Sequence, residues 1–180
     1  MAKKICIIST KGGVGKTTLA ANLSAALADL NQRVLIVDTD TQQSLSKYYD
    51  LSEQAEFELV QLIKSGNPSG CISKTNIQNL DVVINDDVQN SLPNWMRESA
   101  SHPHFLNAAL QSLDDDYDVI IIDTKGTSGL GDLQEMAIRA SDLALTPLSP
   151  DWLAAKELPN TIRVLQSLEP PHGIVVGRPI

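Results

Sequence analysis

Basic residues are outnumbered in this chain: 14 lysines and arginines stand against 22 aspartates and glutamates, a formal net charge of −8 over 180 residues. Such a balance argues against a broad nucleic-acid-binding face, which must match phosphate charge with cations. Cysteine is nearly absent. Cys6 falls in an apolar run and Cys71 in a loop-like stretch, so they form no disulfide framework and suit a reducing cytoplasm. No apolar run approaches the ~20 residues that cross a bilayer. The first residues lead straight into a strand pattern, so no signal peptide is expected. What remains is ordinary globular material, 42% hydrophobic and 20% charged. It is long enough for one domain with a substantial core, expected to span residues 1–180.

Strand-like runs alternate with helical patterns. Lys4–Ser9, Arg33–Asp38, Leu80–Asn85, Tyr117–Asp123, Leu143–Leu148 and Gly173–Val176 are the predicted strands. Continuous runs such as Val119-Ile120-Ile121-Ile122 suit parallel strands covered on both faces. Leu19, Leu23, Leu27 and Leu30 form one helical stripe. Phe57–Lys64 and Gln134–Ser141 read as helices, the second after a glycine-rich turn over Gly126–Gly131. Asp151–Leu168 is helical in pattern, with Pro159 expected to break or kink it and Trp152, Leu153 and Leu158 expected to pack it on the sheet. Residues 41–113 are the least regular. They hold a turn cluster at Gly66–Gly70 and a polar stretch, Asp86–Pro103, expected to be irregular or short-helical and anchored by Trp95 and Met96. The expected fold is α/β, an open doubly wound and mostly parallel sheet whose ligands bind at the carboxyl ends of the strands.

Between the first strand and the first helix lies Lys11-Gly12-Gly13-Val14-Gly15-Lys16-Thr17-Thr18. In that setting a glycine-rich turn can curl its N–H groups around one anion, helped by the helix dipole. Lys16 would reach the outer phosphates, with the amides of Gly13, Gly15, Lys16 and Thr17. Thr18 would meet the α-phosphate, and the Thr17 hydroxyl would ligate Mg²⁺. Asp123, closing a buried strand, would hold a water of that Mg²⁺; the alternative is a plain strand-end turn residue. The Gly126 amide could sense the γ-phosphate. Val34–Asp40 is a strand ending in Asp38-Thr39-Asp40. Asp40 could swing towards the γ-phosphate and orient the attacking water while Asp38 stays nearer the Mg²⁺, or the pair could simply cap the next helix. The chemistry implied is ATP binding and slow hydrolysis.

The string Lys-Gly-Gly-x-Gly-Lys-Thr-Thr at 11–18 resembles the deviant Walker A motif of the ParA/MinD group of partition and division-positioning ATPases, whose domain is a P-loop NTPase fold. Val34–Asp40 is similar to the group's switch I, although Thr41-Gln42 stands where Pro-Gln is usual. Tyr117–Gly126 is similar to its Walker B strand and switch II, with Lys125 where proline is common. The resemblance implies that Lys11 through Thr18, Gly12 and Val14 included, contact the nucleotide, that Thr17, Asp38 and Asp123 serve the metal, and that Lys11, Lys16, Asp40 and Asp123 serve catalysis. It further implies that Lys11 reaches across an ATP-dependent homodimer to the partner's nucleotide; a lysine touching its own phosphates or solvent is the plain alternative.

ATP and Mg²⁺ are the implied cofactors. A ParB-like centromere-binding activator is an implied partner, nonspecific DNA a further one, and the cytoplasm, at nucleoid or plasmid, the implied location. A MinD-like regulator would rely on a C-terminal amphipathic helix for membrane docking, and none is seen here, so no membrane partner is expected. A nucleotide-regulated interaction module or conjugation accessory, and a metabolic ligase of the same fold, are the other readings. Members of the group usually continue past this point with adenine-contacting units, so a truncated or unusually short form is expected. Asp114-Asp115-Asp116 reads as a solvated loop and not as a metal site. His102-Pro103-His104 reads as a loop with two ordinary histidines. The cysteines are badly placed for an iron–sulfur cluster. Lys125 is either a switch cation or a solvated loop residue.

Overall fold

Val34–Asp38 is buried at every position, as a strand covered on both faces must be. The computed structural model describes residues 1–89, 91–98, 104–126, 132–148, 152–168 and 174–177. In chain order the elements are β1 (Lys3–Ile7), α1 (Lys16–Asp29), β2 (Val34–Asp38), a short 3₁₀ turn (Ser46–Tyr48), β3 (Leu51–Glu53), α2 (Leu59–Ser65), β4 (Ser73–Thr75), β5 (Leu80–Val83), α3 (Leu92–Arg97), α4 (Phe105–Gln111), β6 (Val119–Asp123), α5 (Asp132–Arg139), β7 (Leu143–Pro147), α6 (Trp152–Ser167) and β8 (Ile174–Gly177). Among the described residues the strands form one sheet in the order β3-β4-β5-β2-β6-β1-β7-β8. The six centred on β6 run parallel, and β3 and β4 pair antiparallel at one edge.

Side chains alternate across this sheet and divide the core in two. On one face Ile7, Val34, Ile36, Val82 and Ile121 pack with Ala20, Ala21 and Ala28 of α1. On the other, Cys6, Ile8, Leu35, Val37, Ile120 and Ile122 pack under helices that include Leu62, Met96, Leu106, Met136 and Leu165. The sheet is thus wound on both sides, as the alternating pattern predicts.

Some expectations need correction. Leu19, Leu23 and Leu27 of the predicted stripe are half-buried and pack against the core, but Leu30 is exposed, and the most buried face of α1 is made of small residues, Ala20, Ala21, Ser24 and Ala28. Small side chains let the helix lie close to the strands, and the Ser24 hydroxyl is satisfied by donating to the Ala20 carbonyl at 2.7 Å. Pro159 lies within α6 without ending it. It is exposed, so water can serve the carbonyl one turn back that has lost its N–H partner. Trp152 is 74% exposed, so it does not pack α6 on the sheet; its ring lies under the Lys156 ammonium, 5.4 Å from the centroid. Met96 is fully buried and Trp95 packs beside it, as expected of the two anchors. Residues 127–131 of the glycine-rich turn, His102 and Pro103 of the histidine pair, Asp151, Gly173 and Arg178–Ile180 lie outside the described residues.

Candidate nucleotide site

Strand register brings the site together. Ile7 of β1 and Asp38 of β2 both stand opposite Asp123 of β6. The three adjacent strand ends therefore deliver the glycine-rich loop, Asp38 and Asp123 to one edge of the sheet. The loop needs glycine where its backbone turns left-handed, at Gly13 (φ 72°) and Gly15 (φ 87°), the latter capping α1. Thr39 locks the edge by donating to the Asp123 carbonyl from its N–H at 3.0 Å and its hydroxyl at 2.7 Å. Thr124 donates to the Ile7 carbonyl at 2.9 Å.

An open cleft of about 480 Å³ lies there, lined by Gly12, Gly13, Gly15, Lys16, Thr17, Thr18, Asp40, Ser44, Tyr48, Thr124, Lys125 and Gly126. Lys16 is buried, and its ammonium donates to the Lys11 carbonyl at 3.2 Å, folded back over the loop. Burial holds its pKa below the ordinary lysine value, against the opposing pull of Asp123 and Asp40. The Lys11 N–H donates to the Ser9 hydroxyl at 3.1 Å. Gly126 lies hard against the loop: a Cβ there would fall 2.6 Å from Lys16 Nζ and 3.0 Å from both Gly12 Cα and the Lys11 carbonyl oxygen. Lys125 is exposed on the cleft wall, and its carbonyl accepts a hydrogen bond from Gln134 of α5.

The Thr17 hydroxyl donates to Asp123 Oδ2 at 2.8 Å. Asp123 Oδ1 is buried and, among the described residues, has no hydrogen-bond partner. Burial, with repulsion from Asp38 and Asp40, pushes this carboxyl up to about 7, while the Thr17 bond and Lys16 pull the other way. A hydroxyl beside a buried carboxylate with an orphaned oxygen is the hard-oxygen donor set that Mg²⁺ prefers, so the residues present fit that ion. No cluster of three or more His, Cys, Asp or Glu side chains that could hold a metal occurs among the described residues. Asp38 is fully buried and both its oxygens accept from the protein: Oδ1 from the Asp40 N–H at 3.0 Å, Oδ2 from the Ser46 N–H and hydroxyl, each at 2.9 Å. Asp40 stands on the cleft wall with Oδ1 accepting from the Gln42 N–H at 3.0 Å.

Thr18 and Tyr48 bring their hydroxyls within 3.4 Å across the cleft mouth. Ser44, Ser46, Tyr48 and Gln134 escape sequence reasoning. Ser46 and Gln134 act through backbone geometry that no local pattern encodes, and a serine-rich stretch reads as loop whatever its partners. The Asp114–Asp116 run is solvated at Asp115 and Asp116, but Asp114 is half-buried and pairs with the buried Lys4 at 2.6 Å.

A protein-family model described as an AAA domain matches residues 2–171. The virulence plasmid ParA family protein pGP5-D of Chlamydia psittaci is 33% identical over 151 residues, covering 83% of this chain and 58% of that protein. The sporulation initiation inhibitor protein Soj of Bacillus subtilis is 33% identical over 173 residues, 92% of this chain and 67% of Soj. Among solved structures, cobyrinic acid a,c-diamide synthase of Mycobacterium smegmatis, with a bound ATP analogue and magnesium, superposes with a TM-score of 0.86 at 25% identity, over 99% of this chain and 74% of that one. The chain thus spans between about three fifths and two thirds of the length of the two curated relatives. The chain belongs to this AAA-domain family, among its ParA/Soj/MinD-type P-loop ATPases.

Proposed function

We propose that this chain binds ATP with Mg²⁺, forms a homodimer on ATP and hydrolyses it slowly in a cycle that partitions plasmid or chromosomal DNA. The observation that carries the reading is the edge-on convergence of the lysine-flanked loop with the Thr17–Asp123 pair, whose second carboxylate oxygen is left over for a cation. Mg²⁺, when bound, supplies neutralisation of phosphate charge. Thr17 and Asp123 are the residues that would hold it, on the Asp123 side through water.

Phosphoryl transfer asks a protein mainly for placement and charge compensation. Lys16 leaves the Lys11 carbonyl and turns to the β- and γ-phosphates, joined by the amides of Gly13, Gly15, Lys16 and Thr17, while Thr18 takes the α-phosphate. Asp40 orients a water on the γ-phosphorus; the new P–O bond forms as the bond to the β,γ-bridging oxygen breaks, releasing ADP and inorganic phosphate. Gly126 reports the γ-phosphate to the chain that follows it. Lys11 reaches the partner copy's triphosphate and acts in the manner of an arginine finger.

A ParB-like centromere-binding protein stimulates turnover, and nonspecific DNA is bound by a local or dimer-spanning patch, since the chain is acidic overall. This work is done in the cytoplasm, at the nucleoid or plasmid. No helix among the described residues is long and apolar enough to cross a membrane. The partition reading draws on the plasmid ParA family relative; the magnesium–nucleotide complex of the synthase supports the cofactors and shows that the fold alone also serves metabolic chemistry.

Phosphate release measured with Asp40→Ala tests the assignment. ATP affinity should stay within about twofold while turnover falls roughly 100-fold, the scale of losing a positioned water. Unchanged turnover removes Asp40 from the mechanism.

A further inference from the structure

The loop that carries Asp40 is tied down at both ends by a single carboxylate. Asp38 Oδ1 accepts the Asp40 N–H at the start of the loop, and Oδ2 accepts both the N–H and the hydroxyl of Ser46 at its end. These three bonds take most of the roughly four acceptor positions a carboxylate offers. The clamp is buried, with Asp38 0% and Ser46 9% exposed. Inside it the backbone is drawn tight. Gln43 sits at φ 53°, a left-handed conformation that a side-chain-bearing residue adopts only under restraint. The Gln43 N–H donates to the Asp40 carbonyl at 2.9 Å, and its amide nitrogen donates to the Asn85 carbonyl at 2.6 Å. Asp40 and Ser44 project from this closed turn into the nucleotide cleft, while Asp38 stands in register with Asp123.

We infer that Ser46 and Asp38 are positioning residues for hydrolysis: their bond holds the 40–46 turn so that Asp40 meets the attacking water, and Asp38 acts as the anchor of that turn and not as a metal-shell carboxylate. The inference rests on the ATPase reading and deepens it. A water-orienting group must be held within about half an ångström of its working position, and errors near 1 Å cost on the order of 100-fold in rate. From Asp40 to Ser44 the turn is polar throughout, and its one apolar anchor, the fully buried Leu45, lies at the far end next to Ser46, so the Asp40 end has no apolar packing of its own to provide that precision. The carboxylate clamp provides it instead.

The test uses the full chain with Ser46→Ala, Ser46→Thr and Asp38→Asn, each first checked for a cooperative thermal transition. Three quantities are read: ATP affinity, kcat with its Mg²⁺ dependence, and amide hydrogen exchange of residues 40–46 in the nucleotide-free protein. Ser46→Ala should keep ATP affinity within about twofold, lower kcat at least tenfold, and speed exchange of the 40–46 amides at least tenfold, as expected for loss of a charge-assisted hydrogen bond. Ser46→Thr, which keeps the hydroxyl, should restore all three. Asp38→Asn should speed the same amides and leave the Mg²⁺ concentration for half-maximal turnover within about threefold of the parent's. Ser46→Ala with parental kcat and parental exchange overturns the proposal. So does an Asp38→Asn variant that demands far more Mg²⁺ while its 40–46 exchange is unmoved, since that is the behaviour of a metal-shell residue. A parent chain that binds ATP without turning it over removes the ATPase reading, and the exchange measurements then still decide whether the clamp exists.

Discussion

Strand β6 has an aspartate at each end, and the two live in opposite worlds. Asp118, just before the strand, takes a bidentate hold on Arg33, with bonds of 2.9 Å and 3.3 Å, and that guanidinium keeps its carboxyl down at about 2. Asp123, the last residue of the strand, is buried, has one oxygen without a partner among the described residues, and is pushed up to about 7. The contrast extends along both edges of the sheet. At the amino edge Lys4 pairs with Asp114, and Asp81 accepts from both Lys74 at 2.6 Å and the Tyr117 hydroxyl at 2.7 Å. At the carboxyl edge Lys16 rests on a backbone carbonyl while Asp38 and Asp123 stand side by side. One edge has its charges settled and serves the fold. The other crowds buried carboxyl groups and a buried lysine beside an open cleft, an arrangement that a polyanion with its cation would complete.

Asp123 should show the largest effect. Its native carboxyl titrates near 7 against an unfolded value of 3.8. Between those pH values the native state holds a proton that the unfolded state has released, so the nucleotide-free protein should lose stability as pH rises through that window, by on the order of 4 kcal/mol. Asp123→Asn should remove that loss, so the variant gains on the parent steadily from about pH 4 to pH 8 in denaturant titrations. Parallel stability curves would show that the carboxyl is ionised normally in the native state. The same proton must leave when Mg²⁺ enters, so metal affinity should weaken about tenfold for each pH unit below 7.

At the settled edge, Asp114→Asn strands Lys4, whose side chain is only 5% exposed. Loss of one partner from a buried pair should cost about 3 kcal/mol. That is a fall of roughly 6–12 °C in the melting midpoint for a chain of this size, with ATP affinity unchanged. A variant that melts like the parent would mean that Lys4 finds water or another anion. Arg33→Ala should do least. Its pair with Asp118 is open to solvent on both sides, so the midpoint should move by about 1 °C or less and the small effect should vanish in high salt.

The sequence made the central sheet and the loop legible because both depend on local patterns. The runs of Val, Ile and Leu in the six predicted strands have no other stable setting, and Gly13, Gly15 and Lys16 stand where the strand-to-helix transition requires them. The antiparallel edge was not legible. Ser73-Lys74-Thr75 is a three-residue strand without apolar character, held by its pairing with β5 and by the Thr75 hydroxyl on the Leu80 carbonyl at 2.6 Å. Phe105–Gln111 forms a helix that follows no cap signal and is stabilised by burial of Leu106, Ala109 and Leu110. The anchor that Asp38 makes with Ser46 spans eight positions and joins a strand-end aspartate, expected near the metal, to a serine that reads as an ordinary loop former.

The proposed role of the two lysines, one at each end of the loop, is to act on triphosphates held between two copies of the chain. Its most direct test is the molar mass in solution of the parent and of Lys11→Ala, each with ADP and then with ATP and Mg²⁺, by light scattering. The parent should be monomeric with ADP and dimeric with ATP, and the Lys11→Ala variant should bind ATP yet stay monomeric. A variant that dimerises on ATP as the parent does would contradict that role.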